Sequence, residues 1–223
     1  MSQISSSTFE FLKDLTLNNN RDWFTENKPR YHEAHQDVIQ FMDALIAEMN
    51  KVDNIETESG KKSLFRIYRD VRFSKNKSPY KVSLSGVLKR ATKWLRGGYY
   101  VHFEPGNIFI AVGFWAPESA DLKIIREELA HDAKPLRAIL ADRDFGSIWG
   151  EMEGEQVKTA PKGYSKDHPN IDLLRHKAFV FTKAFSEEEA LSEGFLFEIM
   201  KAFIGIRPFF DYMSEVLTRH VEE

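Results

Sequence analysis

Gly98-Tyr99-Tyr100-Val101-His102-Phe103-Glu104-Pro105-Gly106-Asn107-Ile108-Phe109-Ile110-Ala111-Val112-Gly113-Phe114-Trp115 reads as a β-hairpin, and that reading decides the fold class. Pro105-Gly106 separates two arms, Gly98–Glu104 and Asn107–Trp115, and has the chemistry of a type II turn. Pro presets φ at the first central position, and Gly accepts the positive φ of the second. The second arm is apolar on both faces, which predicts a central place in the sheet. On the first arm, alternation puts His102 on the same face as Tyr100 and Glu104.

Upstream, Leu64–Phe73 also alternates, with Phe65, Ile67, Val71 and Phe73 on one side and Arg66, Tyr68, Asp70 and Arg72 on the other. This predicts a strand, interrupted at Arg69 by a twist, a bulge or a partly buried cation that needs a partner. Val82–Leu88 reads as a weaker strand and residues 52–63 as a polar loop. Before them, Tyr31, His35, Val38, Met42, Leu45, Ile46 and Met49 recur at three- and four-residue steps. They mark an amphipathic helix of about 20 residues that starts near Pro29. Asn20 is placed to cap a short turn over Arg21–Asn27, and an earlier short helix runs from about Thr8.

Downstream, Ser119 is expected to cap a helix carrying Leu122, Ile125 and Leu129, and another short helix follows Pro135. Glu155–Thr159 and Phe179–Phe185 are expected strands, and Ser186 with Glu189 forms a capping box. Two helices split near Gly205 close the chain. Pro208 sits in the first turn of the last one, above a core face of Ile206, Phe209, Phe210, Met213, Val216 and Leu217. Helices, then antiparallel strands, then helices make an α+β fold rather than an alternating one. With 223 residues, no internal repeat and no Gly/Ser linker, the expectation is one domain over 1–223. N-terminal helices would occupy about 8–51, a mainly antiparallel central sheet about 64–116, and helices with short strands about 118–223.

The chain has no cysteine, so disulfides, zinc–thiolate sites and cysteine nucleophiles are excluded. Met1–Thr8 is polar and Ser-rich, unlike a secretory signal, and no apolar run reaches the length of a membrane span. A cytoplasmic protein with no membrane segment is expected. The net charge of −3 hides a division. Residues 61–100 hold twelve basic residues and one acid, Asp70, for a charge of +11, which leaves −14 for the remainder. Such a split builds an oriented field.

Gly60-Lys61-Lys62-Ser63 only faintly resembles a phosphate loop, because Ile55 stands where its first Gly belongs and Lys62 where Ser or Thr binds magnesium. His32-Glu33-Ala34-His35 is one residue short of the zinc-protease spacing. His168, Asp172 and His176 fall at four-residue steps and would share a face if one helix carried them; otherwise Asp167 caps that helix and the trio is solvated. No metal and no cofactor is predicted.

The remaining signal is the basic-aromatic run itself. Arg66, Arg69, Arg72, Lys75, Lys77 and Lys81 offer forks and point charges for phosphate, and Tyr68, Tyr80 and Trp94 offer rings for stacking. Asn20-Arg21-Asp22-Trp23-Phe24 with Asn27-Lys28 and Tyr31, and then Phe65 through Lys81, resemble the domain-of-unknown-function family 2461. So do Gly98-Tyr99-Tyr100, Gly113-Phe114-Trp115, Asp167-His168-Pro169 and Leu173-Leu174-Arg175. The resemblance spans nearly the whole chain and implies a cytoplasmic protein with no assigned activity. It groups Asn20, Trp23, Arg66, Arg69, Asp70, Arg72, Lys77 and Tyr80 in one common feature.

Three functional expectations follow. In the first, the basic-aromatic face binds a phosphate-bearing partner, either a nucleotide or a nucleic-acid strand. In the second, the chain is an enzyme for a small anionic substrate, with Arg66 and Arg72 as a clamp and Asp70, His102 or His168 as proton-transfer groups. In the third, the arginines form a structural network with internal carboxylates. The sequence leaves the oligomeric state open.

Overall fold

A computed structural model of the chain describes residues 3–91 and 93–219. The hairpin lies at the middle of a four-stranded antiparallel sheet. Its strands are β1 (Leu84–Lys89), β2 (Gly98–Phe103), β3 (Ile108–Phe114) and β4 (Phe179–Phe185), in spatial order β1-β2-β3-β4. The β2–β3 turn closes through Asn107 N–H donating to the Glu104 carbonyl at 2.9 Å, and Gly106 takes φ +76° as a type II turn requires. The doubly apolar arm, β3, is flanked by β2 and β4, as its composition predicts. Gly113 in β3 has φ +128°, and a Cβ there would lie 2.1 Å from the Phe179 carbonyl oxygen. Only glycine allows this approach between β3 and β4.

The N-terminal helices form where capping and periodicity place them. They are α1 (Ser6–Leu17), α2 (Arg21–Glu26) and α3 (Lys28–Met49). Asn20 Oδ1 accepts from Trp23 N–H at 3.0 Å at the start of α2, and Pro29 sits in the first turn of α3. The expected loop over 52–63 contains a helical turn, α4 (Gly60–Ser63). Ser59 caps it, and Gly60 N–H donates to Asp43 at 2.6 Å. The phosphate-loop look-alike is therefore this anchored turn.

Among the described residues four helices lie between β3 and β4: α5 (Ser119–His131), α6 (Lys134–Ala141), α7 (Arg143–Trp149) and α8 (Ile171–Leu174). Glu118, not Ser119, holds the N-cap position of α5, and it makes no side-chain cap bond. The last three are α9 (Glu187–Ala190), α10 (Phe195–Gly205) and α11 (Arg207–Thr218). Ser186 and Glu189 make the reciprocal capping box. Among the described residues no helix is long and apolar enough to cross a membrane.

Two expected strands do not form. Leu64–Phe73 makes only isolated bridges, Leu64 with Gly86 and Tyr68 with Tyr80. The segment folds back on its own continuation instead: Arg69 N–H donates to the Pro79 carbonyl at 2.9 Å and Lys81 N–H to the Ile67 carbonyl at 2.7 Å. The apolar face is not buried as a strand face would be, since Phe65 and Phe73 are exposed while Ile67 is covered. Near Glu155–Thr159 the pairing is limited to the bridges Glu153 with Val180 and Gln156 with His176. Part of its partner is the turn that follows the four-residue helix α8, so no ladder propagates.

The chain divides into two compact units. The first contains the residues up to Leu88 together with Tyr100–Ile110 and Ala184–Met200. Its core packs Phe9, Phe11, Leu12 and Leu15 of α1 against the buried stripe of α3, with Phe41 set edge-on to Phe103 at 5.6 Å. The second contains Lys89–Tyr99, Ala111–Lys183 and the residues from Lys201 onward. Its core is aromatic too, with Phe209 edge-on to Phe181 at 5.1 Å and Tyr99 at 4.6 Å from Phe203.

Candidate anion-binding surface

The first unit gathers most of the predicted site residues. Tyr80 is the anchor. Its ring stacks on Phe24 at 3.9 Å, and both its backbone groups bond to Asn19: the N–H donates to Oδ1 at 3.1 Å and the carbonyl accepts from Nδ2 at 3.0 Å. The Tyr68–Tyr80 bridge then holds the base of a loop over residues 69–79. Inside the loop, Arg69 Nη1 donates to the Ser78 carbonyl at 3.1 Å and Lys77 Nζ to the Val71 carbonyl at 2.9 Å. Asn76 Oδ1 accepts from Ser78 N–H at 2.9 Å, an Asx turn.

Arg72 forks onto Asp70, with Nη2–Oδ2 at 2.7 Å and Nε–Oδ1 at 3.0 Å. That bond holds the Asp70 carboxyl below its usual range and the Arg72 guanidinium above its own. Asp70 is thus a fixed carboxylate that orients an arginine. Arg66, Arg69, Lys75, Lys77 and Lys81 have no carboxylate partner among the described residues. Lys81 Nζ stands 5.3 Å from the centre of the Phe65 ring, and burial, with the Arg66 charge beside it, lowers its pKa. Between these cations Phe65, Tyr68 and Phe73 present exposed rings, 97% exposed for Phe73.

Phe24 also links this loop to α3, with its ring 6.4 Å from Tyr68 and 5.2 Å from Tyr31. Tyr31 opens a surface groove of about 780 Å³ lined by His32, His35, Gln36, Gln40 and Lys61, with Glu33, Asp37 and Ile39 completing it. Tyr31 lies 5.4 Å from both His rings. Burial, then the nearby His32 and Lys61, lower the His35 pKa. The zinc-like spacing of His32 and His35 thus serves a ring cluster on a groove wall. Lys61 joins it from α4, a neighbour that periodicity on α3 does not reveal.

His102 sits in a hydrogen-bonded row on β2. Its Nδ1 is 2.7 Å from Tyr100 Oη and its Nε2 is 3.1 Å from Glu104 Oε2, which also accepts from Asn107 Nδ2 at 2.9 Å.

The remaining predicted residues lie in the second unit. Trp94 carries Lys93 Nζ 4.5 Å from its ring centre. His168 Nδ1 accepts from Asn170 N–H at 3.0 Å, ahead of α8. The His168–Asp172–His176 face does not form, because α8 is a single turn. Asp172 pairs with Arg137 at 2.7 Å, and buried His176 contacts Gln156 and the Ala178 carbonyl. Asp167 caps nothing; the N-cap position is held by Asn170. Among the described residues no cluster of three or more His, Asp or Glu is arranged to hold a metal.

The basic run therefore divides by role. Arg90 and Arg96, in the second unit, are structural: the fully buried Arg90 side chain donates to the Arg96 carbonyl at 2.9 Å and reaches Asp211 at 3.4 Å, and Arg96 pairs with Asp121. Within residues 64–81 the bonds are local, Arg72 to Asp70 and Arg69 and Lys77 to carbonyls of the loop itself, and Glu187 pairs with Lys13 rather than with them.

No curated protein and no solved structure matches the chain. A family profile described as a conserved hypothetical protein matches residues 7–212, and the chain belongs to that family, DUF2461.

Proposed function

We propose that residues 64–81 form a binding surface for a phosphate-bearing ligand, and that an extended nucleic-acid strand suits it better than a free nucleotide. The observation that carries this reading is one segment that holds both exposed rings, Phe65, Tyr68 and Phe73, and cations that make no carboxylate ion pair among the described residues, Arg66, Lys75 and Lys77, with Lys81 over the Phe65 ring. Exposed rings leave apolar area in water and clustered like charges repel one another, and both are what a strand needs, since bases stack on rings and phosphates replace counterions. The surface is open and runs along a loop, which favours a strand that tracks it. The Tyr31–His35–Lys61 groove is joined to the loop through Phe24, whose ring lies 5.2 Å from Tyr31 and 6.4 Å from Tyr68.

The test is fluorescence anisotropy with labelled single-stranded DNA and RNA, with AMP and ATP as competitors. Wild type is compared with the Arg66→Ala/Lys75→Ala/Lys77→Ala triple variant. Tight strand binding that the variant loses, with weak competition by free nucleotides, supports the reading. Equal binding by both proteins contradicts it.

A further inference from the structure

The row on β2 has the logic of a proton relay. Glu104 carries a carboxylate, so His102 Nε2 holds the hydrogen of that bond at 3.1 Å. Nδ1 is then the acceptor and takes the phenolic hydrogen of Tyr100 at 2.7 Å. The Ser85 side chain hydrogen-bonds Tyr100 as well. The relay is held rigidly, because Phe109 stacks on the His102 ring at 4.7 Å and Asn107 fixes Glu104 from the hairpin turn. It also adjoins the proposed binding surface: the Phe65 ring contacts Tyr100 at 6.4 Å and Lys81 at 5.3 Å. Burial raises the Tyr100 pKa, with Glu104 adding to it and the Ser85 bond opposing, so Tyr100 keeps its proton and acts as a carrier rather than as a phenolate.

We infer that Tyr100, positioned by His102 and Glu104, is a general base for a hydroxyl that neighbours a phosphate, and that the ligand class it acts on is single-stranded RNA. The inference rests on the strand-binding reading above, from which it takes the phosphate held by Lys81 and Arg66. Among nucleic acids only RNA carries such a hydroxyl, at the 2′ position. In the step, the 2′-hydroxyl gives its proton to Tyr100 Oη while the Tyr100 proton passes to His102 Nδ1, leaving an imidazolium paired with Glu104. The 2′-oxygen forms a bond to phosphorus, the bond from phosphorus to the 5′-oxygen breaks, and the departing oxygen takes a proton from water. His102 then returns its proton through Tyr100 to solvent. The step has the arrangement of a base oriented by a third group and uses no oxidant or reductant. Tyr100 touches the substrate and relays the proton, His102 takes it up through Tyr100, and Glu104 positions His102.

The test uses the full chain with a labelled single-stranded RNA and the DNA of the same sequence, in chelator, over a range of pH. Tyr100→Phe keeps the ring contacts and removes the hydroxyl; His102→Gln and Glu104→Gln address the rest of the row. The expected result is cleavage of RNA alone to 2′,3′-cyclic ends. Tyr100→Phe and His102→Gln should slow it about 100-fold or more while binding stays within about twofold, since positioned proton transfer contributes on that scale. RNA that is bound but left intact, or variants that cut at the wild-type rate, overturns the relay and leaves the binding surface standing. Absence of RNA binding overturns both.

Discussion

The rings of Phe24 and Tyr80 stack with centroids 3.9 Å apart and planes 14° from parallel. Both residues are buried, and Asn19 bonds both backbone groups of Tyr80. These contacts tie the 64–81 loop to the N-terminal helices, so the loop's shape depends on residues more than forty positions away in sequence. Phe24→Ala is expected to cost about 3–5 kcal/mol of stability, as for other buried aromatic truncations. Asn19→Ala leaves two backbone groups of Tyr80 without their partners and is expected to cost about 1–3 kcal/mol. Urea denaturation measures both, and a change below about 0.5 kcal/mol for either shows that the anchor is dispensable.

The two classes of arginine predict opposite outcomes. Arg90, with no side-chain exposure, lies over the Phe210 ring at 5.1 Å and holds the Arg96 carbonyl. Its removal to Ala is expected to destabilise by about 3 kcal/mol or more, because partners inside the unit are left unpaired. Arg66→Ala should change stability by no more than about 0.5 kcal/mol, the ordinary range for a surface change. Denaturation midpoints that fall together for the two variants would mean that the basic run has one role.

Gly113→Ala is expected to cost more than about 3 kcal/mol, because the new Cβ meets backbone rather than a yielding side chain and φ is +128°. Soluble expression together with a thermal melt checks this. A melting temperature close to wild type would mean that β3 and β4 separate more easily than their spacing implies.

Stability should also depend on pH through His176. Burial lowers its pKa in the folded chain, so the unfolded state binds the proton more readily. The contribution is present above the unfolded value of about 6.5 and is lost as pH falls from there through the folded value. His35, lowered chiefly by burial, acts with the same sign. His176→Asn keeps a donor toward the Ala178 carbonyl and should flatten the acid limb of a stability–pH curve measured by denaturant titration. An unchanged slope would assign the acid sensitivity elsewhere.

Local chemistry is what makes parts of this chain legible from its sequence. The β2–β3 turn, the Asn20 cap, the capping box at Ser186 and the apolar face of α11 each depend on residues within a few positions of one another. Leu64–Phe73 has equally good alternation and is no strand, because its backbone finds Pro79 and Lys81 first and that fold-back is not encoded in a period. The one-turn length of α8 likewise disperses a histidine trio that spacing alone would align. For the candidate site, the cations and rings are visible as composition, and the shared face of Tyr100, His102 and Glu104 as alternation. Which arginines are structural is decided by Asp211 and Asp121, partners distant in sequence. The Lys61 contribution to the α3 groove is invisible for the same reason.

The central claim is that several unneutralised cations of the 64–81 loop meet phosphates. Its most direct test is the affinity for a labelled single strand measured at 50 mM and at 200 mM salt, where each neutralised phosphate on a single strand contributes a slope of about −0.7. Engagement of four or five cations predicts a loss of about 50–130-fold across that range, shrinking in the Arg66→Ala/Lys75→Ala/Lys77→Ala variant. A loss of less than about tenfold, unchanged in the variant, would contradict the account.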